Sequence, residues 1–169
     1  MEIDNLNIIQ NLTAEKEGGK VEFKQTTGQL ERGMETLCAF LNGEGGTVLF
    51  GVKDNGKIIG QEVSDKTKRE IAEAIRLIEP FATITVSYAG VPDTDKQVIA
   101  LSAEEQRYMR PFTYKGRAYQ RIESVTSVMP QDKYNHLLMQ RGGKYSWEAM
   151  PNPDLQVSDL DENVIIGAV

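Results

Sequence analysis

The stretch from Leu41 to Gly60, LNGEGGTVLFGVKDNGKIIG, decides the fold. An apolar run from Thr47 to Val52 follows Gly43, Gly45 and Gly46 and precedes an Asp54-Asn55-Gly56 turn, after which Lys57-Ile58-Ile59 returns as a second strand. Asn-Gly favours the positive φ angles of a tight turn and Ile58-Ile59 favour extended backbone, so the pattern reads as a β-hairpin. The same letters nearly satisfy a phosphate-binding loop, G-x-x-x-x-G-K, through Gly51, Gly56 and Lys57. Such a loop needs a helix N-terminus facing the phosphates and a hydroxyl for the metal. Ile58 occupies the hydroxyl position and the chain turns straight back. The local chemistry therefore argues against nucleotide hydrolysis here.

Outward from this stretch, Val21-Glu22-Phe23-Lys24 alternates apolar and polar, a strand with Glu22 and Lys24 opposite Val21 and Phe23. Leu30, Met34, Leu37, Cys38 and Leu41 share one helical stripe that Gly43 terminates. The opening residues, with Leu6, Ile8, Ile9 and Leu12, fit a short helix or an extended arm. Ser64 or Asp65 caps a helix with Ile71, Ala74, Ile75 and Ile78 on its buried face, ending before Pro80. Thr83–Tyr88 and Gln97–Leu101 predict an antiparallel pair. Phe112–Tyr114 and Ala118–Ile122 predict short strands around a Lys115-Gly116 turn, and Pro130 starts a helix running to about Arg141. The expected architecture is α+β: a mixed, largely antiparallel sheet with hairpins, packed by three or so helices.

Residues 1–143 form the expected domain. Beyond Gly142-Gly143 the composition shifts to a linker-like stretch with Pro151 and Pro153, then a capped helix beginning near Ser158, so residues 144–169 read as a linker and the start of a further C-terminal region. No apolar run reaches the ~20 residues of a membrane span, and the N-terminus lacks a basic region followed by an apolar core, so the expected location is cytoplasmic.

Cys38 is the only cysteine and His136 the only histidine. Zinc sites, disulfide frameworks and a Ser-His-Asp triad are thereby set aside, and any metal needs oxygen ligands. Cys38 lies on the apolar side of its helix and reads as a small core residue. The formal net charge of −6 conceals a local reversal: Arg107, Arg110, Lys115, Arg117 and Arg121 fall within fifteen residues that hold no acid. Tyr108, Phe112, Tyr114 and Tyr119 interleave with them. Cations that neutralise phosphates beside aromatic rings that stack on bases suit single-stranded or distorted nucleic acid. A solvated basic face over packed tyrosines explains the same letters. Glu17, Glu22 and Asp54 form a second group: if their strands are adjacent, an oxygen-only cluster arises that suits magnesium or manganese. A Glu22 paired with a lysine and a turn-forming Asp54 are the other reading of those residues.

Taken together, Glu17-x-x-x-x-Glu22-Phe23-Lys24, then Ala39-Phe40-x-Asn42-x-Glu44-Gly45-Gly46-Thr47-x-x-x-Gly51-Val52-x-Asp54-x-Gly56-x-x-x-Gly60, then Arg110-Pro111 and Tyr119-x-Arg121 resemble the Schlafen AlbA-type (AlbA_2) domain over about residues 12–141. Bacterial members carry labels such as transcriptional regulator or RecG-related helicase. The resemblance implies a nucleic-acid-binding N-terminal module of a longer bacterial regulator, acting on DNA rather than RNA and able to self-associate through the further C-terminal region. Binding itself would require no cofactor, and a complete ATPase motif is missing. The phosphate contacts would be Lys24, Arg110, Lys115, Arg117 and Arg121, with Tyr114 and Tyr119 as stacking residues. The alternative it implies is a divalent-metal-dependent endoribonuclease in which Glu17, Glu22 and Asp54 bind Mg2+ or Mn2+ and carry catalysis, although Lys53 stands where another acid is common.

Overall fold

The computed structural model describes residues 2–149, with side chains from Leu6 to Arg141. The expected helix beginning near Ser158 lies outside the described residues. In chain order the elements are α1 (Glu2–Ala14), β1 (Val21–Lys24), α2 (Leu30–Leu41), β2 (Gly45–Phe50), α3 (Asp65–Arg76), β3 (Ile78–Glu79), β4 (Ile84–Gly90), β5 (Gln97–Glu104), β6 (Thr113–Tyr114), β7 (Tyr119–Ile122), β8 (Val125–Val128) and α4 (Gln131–Ala149). Short 3-10 turns at Thr27–Gln29 and Arg107–Met109 precede α2 and β6. The architecture is α+β, with one four-stranded sheet in the order β1-β2-β5-β4 and two two-stranded pairs, β3-β6 and β7-β8.

The unbroken apolar character of residues 47–52 follows from the position of β2. It pairs in parallel with β1 on one side and antiparallel with β5 on the other, and both faces of the sheet are covered. On one face Val48, Phe50, Ile99 and Leu101 pack with Met34, Leu37 and Phe40 of α2 and Ile71 of α3. On the other, Leu49, Val98, Ala100, Val21 and Phe23 pack with Ile9 of α1. A strand covered on both faces gains from apolar residues at every position instead of alternating. By the same alternation Glu22 and Lys24 lie on the α2 side of β1.

The hairpin expected at residues 47–59 is reduced to a turn. Because both edges of β2 are occupied, the returning segment has no edge to pair with and makes a single bridge, Val52 to Ile58. The turn is closed by Lys53 N–H donating to Lys57 C=O at 2.9 Å and by Ile59 and Gly60 N–H donating to Gly51 C=O at 2.9 and 2.8 Å. Gly51 makes this return possible. Its φ is +101°, and a Cβ there would lie 2.9 Å from the Gly60 Cα, so both the left-handed backbone and the close crossing exclude a side chain.

Elsewhere the periodicity holds with local changes of partner, except that α3 stops at Arg76 and Ile78, expected on its buried face, is buried as part of β3 instead. Ser64 caps α3 in a reciprocal box with Thr67, and β4 pairs with β5. The segment expected to pair around Lys115-Gly116 instead diverges: β6 joins β3, while β7 pairs with β8 across the following turn. Neither β3 nor β8 was legible from periodicity, because a two-residue strand and the exposed Val125 and Val128 carry almost no patterned signal. The last helix continues past the expected end near Arg141.

α2 is the hub. Besides its expected stripe it buries Thr36, Ala39 and Phe40, because the sheet lies on one side and β7-β8 on another. Asn42, just past its end and 5% exposed, ties the chain after β5 to this hub. Its Nδ2 donates to Phe112 C=O at 3.0 Å and Tyr119 C=O at 2.9 Å, and its Oδ1 accepts from Phe112 N–H at 2.6 Å.

Candidate nucleic-acid interface

Glu22, Lys24 and Arg121 form a closed charge network at the open edge of β1. Lys24 Nζ lies 2.6 Å from one Glu22 oxygen and an Arg121 nitrogen 2.7 Å from the other. Arg121 also donates to Gly18 C=O at 2.9 Å, Val21 C=O at 3.4 Å and Thr126 Oγ1 at 2.9 Å, with its guanidinium 5.2 Å from the Phe40 ring centroid. Its side chain is only 4% exposed. Arg121 therefore staples β1, α2 and β7-β8 together and neutralises Glu22; it is not an open phosphate contact.

Glu17 and Asp54 complete the acidic group. Glu17 accepts the Phe23 N–H at 2.9 Å, which holds the Gly18-Gly19 bend against β1. Its carboxyl is pushed above the ordinary range, first by burial and then by the negative charges of Glu22 and Asp54, with the Phe23 N–H and Lys24 opposing the rise. Glu22 and Asp54 are thus both within electrostatic reach of Glu17. They are not drawn into a ligand set: Glu22 is engaged by two cations, and no group of three or more His, Cys, Asp or Glu among the described residues is arranged to hold a metal. In this arrangement the donor set does not fit a divalent ion.

A stability signature follows. A carboxyl with a raised folded-state pKa favours folding below its unfolded-state pKa, and this contribution is lost as pH rises through the folded value. Glu17→Gln retains the acceptor for Phe23 N–H and removes the repulsion. Its thermal midpoint at pH 7 is expected to exceed that of the wild type, with the gap closing toward pH 4. Equal midpoints across this range would show that Glu17 is not electrostatically strained.

The basic-aromatic residues separate into several environments. Tyr114, expected to stack on bases, is 3% exposed, and its hydroxyl donates to Glu31 at 3.2 Å; burial and then Glu31 raise its pKa. Tyr119 is half-buried and its hydroxyl donates to Glu35 at 3.3 Å. Both rings belong to the packing of α2 against the segment after β5. Lys115 pairs with Glu31 at 2.9 Å on the surface and holds that carboxyl below its ordinary range. An exposed pair of this kind is worth only ~0–1 kcal/mol, so Lys115 exchanges partners at little cost. Arg117 is exposed. Arg110 is half-buried and donates to Asn42 C=O at 3.1 Å. Cys38, expected in the core, is buried there with its thiol pKa pushed up to about 12 by burial, which removes it as a nucleophile.

Lys20 and Lys133 escaped the sequence reading. They join Arg121, Gln120 and the loop from Asn42 to Gly45 in lining a groove of about 350 Å³ beside the carboxylates. Lys133 Nζ donates to Gln120 at 3.0 Å, and Lys20 lies 3.7 Å from the exposed Glu44. Neither lysine belongs to the basic run, and only the approach of β7 to the bend before β1 brings them together. Among the described residues no helix is long and apolar enough to cross a membrane.

A family model described as Schlafen, AlbA_2 matches residues 17–130, which contain the three acids, the Gly45–Gly60 region and Arg121. No curated protein matches the chain. Among solved structures, the DIP2311 protein from Corynebacterium diphtheriae aligns at 15% identity and a TM-score of 0.49, covering 70% of this chain and 23% of that one. The chain thus spans under a quarter of that protein's length.

Proposed function

The chain belongs to the Schlafen AlbA_2 family, whose function is nucleic-acid-related, and from that premise we propose that it is the nucleic-acid-binding module of a bacterial transcriptional regulator, gripping DNA by its phosphates. The observation that carries this reading is the groove whose lining brings Lys20 and Lys133 together, with the exposed Glu44 beside Lys20. A chain with net charge −6 repels a polyanion overall, so attraction has to be local, and this groove places two lysines on the rim of a built depression. Lys115 and Arg117, exposed at the turn after β6, are further candidate contacts outside the groove lining. Phosphate contacts of this kind set register and affinity and carry no base sequence.

A gel-retention experiment with labelled duplex DNA, single-stranded DNA and transfer RNA tests the proposal. The wild type is expected to retain duplex DNA at low salt. Lys20→Ala with Lys133→Ala is expected to lower the dependence of log K on log salt by about two phosphate contacts, ~1.8 for a duplex, because each neutralised phosphate contributes ~0.9. Failure of the wild type to retain any of the three at low salt would overturn the proposal.

A second reading, a metal-dependent endoribonuclease acting through Glu17, Glu22 and Asp54 with Mg2+ or Mn2+, is favoured by the raised pKa of Glu17 beside two other acids. It requires both Lys24 and Arg121 to release Glu22. Cleavage of transfer RNA in the same gels, dependent on manganese and abolished in Glu22→Gln, would promote it above the first.

A further inference from the structure

Arg107, Arg110 and Arg141 line a second cleft, of about 410 Å³, between the 3-10 turn Arg107–Met109 and α4, together with Tyr108, Leu137 and Gln140. Among the described residues no carboxylate lines it. Arginine does not relieve mutual repulsion by losing a proton, so three around one depression favour an anion between them. The bonds of two of them go to neutral groups: Arg110 donates to the carbonyls of Arg107 at 3.3 Å and Asn42 at 3.1 Å, and Arg141 donates to the Met109 carbonyl at 2.9 Å. A guanidinium has five N–H donors, so these bonds orient the groups without compensating their charge. Arg107 is bound to Glu105 at 2.7 and 2.9 Å, and Glu44 also acts on it electrostatically. One bound carboxylate against three guanidiniums leaves an excess of positive charge.

The chain itself carries a matching anion. Residues 150–169, outside the described residues, hold Asp154, Asp159, Asp161 and Glu162 and no Lys, Arg or His. Three of these acids, Asp159, Asp161 and Glu162, fall in one short run. A carboxylate accepts paired N–H bonds from a guanidinium, so three carboxylates facing three arginines make a complementary set. The tether is long enough. α4 runs past Arg141 to Ala149, a rise of ~12 Å at ~1.5 Å per residue. From Ala149 to Asp159 the chain spans up to ~33 Å at ~3.3 Å per residue, which suffices to return to Arg141. A tether of this kind also holds the acids near the cleft at an effective concentration on the order of millimolar. Ion pairs too weak to capture a separate peptide are therefore made within one chain.

We infer that the cleft of Arg107, Arg110 and Arg141 is a docking site for the acidic segment Asp159–Glu162 of the same chain. The contact stands independently of the nucleic-acid reading but bears on it. Arg110, expected from the sequence as a phosphate contact, is covered when the segment is seated, whereas Lys20 and Lys133 lie outside this cleft's lining.

The test uses the full chain with a nitroxide spin label on Ser158→Cys. Labelling is selective, because Cys38 is buried with its thiol pKa pushed up to about 12. At low salt the label is expected to broaden away the Leu137 methyl signals and the side-chain N–H signals of Arg107 and Arg141, and these are expected to return at high salt. They are also expected to return when Asp159→Asn, Asp161→Asn and Glu162→Gln are combined. Arginine modification of the unlabelled chain, read by mass spectrometry, needs no variant fold to be preserved: raising salt is expected to speed modification of Arg107 and Arg141 several-fold relative to Arg69 and Arg76, exposed on α3. Full-strength signals at low salt in the labelled chain overturn the inference. Broadening that appears equally when spin-labelled chains are mixed with separate isotope-labelled chains also overturns it, since the occupant is then a second copy. Arginines that become protected only when an oligonucleotide is added assign the cleft to nucleic acid and overturn it as well.

Discussion

Replacing Arg121 by Ala lowers the unfolding free energy by an expected 3–5 kcal/mol or so, the range for breaking a buried ion pair from one side. The loss is large because Glu22 then remains 12% exposed with one of its two cations removed, while the carbonyls of Gly18 and Val21 and the Thr126 hydroxyl lose a donor. The packing of the guanidinium on Phe40 disappears with it. Urea denaturation reads this as a lower midpoint at unchanged m. Arg117→Ala serves as the contrast: that side chain is exposed, and its removal is expected to change stability by no more than ~0.5 kcal/mol. Adding Glu22→Gln to Arg121→Ala is expected to recover part of the loss, since the orphaned charge goes with it. If Arg121→Ala costs less than about 1 kcal/mol, Arg121 is a surface cation and the staple described here is wrong. A loss of nucleic-acid binding in Arg121→Ala reports first on the fold; Lys20, Lys133 and Arg117 report on contact.

Asn42→Ala is the second large effect, with an expected cost of about 3–5 kcal/mol. One amide satisfies three backbone groups, Phe112 N–H, Phe112 C=O and Tyr119 C=O, in a site where Asn42 itself is 5% exposed. Leaving a buried polar group without a partner costs ~1–3 kcal/mol each, reduced where water enters the space left by the side chain. Asn42→Asp retains the acceptor for Phe112 N–H but loses both donors and buries a charge, so it is expected to be no milder than Ala. Hydrogen exchange offers an independent reading: the Phe112 amide is expected to lose protection in Asn42→Ala beyond what global destabilisation explains. A cost below about 1 kcal/mol in denaturation would mean that the segment after β5 is held by Phe112 packing alone.

These two residues show how unevenly the site was legible. Asn42 and Arg121 both stand in the motif that carries the family resemblance, so their importance was visible, but their work was not. Arg121 reads in sequence as one more cation of a basic run, and Asn42 as a polar residue after a helix. Tyr114 and Lys115 are adjacent and look alike as interface residues, yet one is in the core and the other on the surface. Glu17, Glu22 and Asp54 were gathered by pattern; in the fold Glu22 and Asp54 both act electrostatically on Glu17, and Glu22 is taken up by cations. A lysine partner for Glu22 was among the readings the sequence allowed, and Lys24 fills it; the second cation, Arg121, was not foreseen, because it was weighed only as a phosphate contact. Arg141 read only as the end of a helix, and Arg107 as one cation among several.

By itself the sequence determined what local spacing governs: helices at α2 and α3 with their buried stripes, extended runs at β1, β2, β4 and β5, the Asp54-Asn55-Gly56 turn and the α+β class. Backbone preference and side-chain period act over a few residues, so a linear reading reaches them. Only the tertiary structure decided that β2 is central and its return a mere turn, that Arg121 meets a Glu22 lying 99 positions away, and that Lys20 and Lys133 border one groove. Charges and hydrogen bonds are satisfied by whichever partner the fold delivers. Whether a cation is committed or available therefore depends on neighbours distant in the chain.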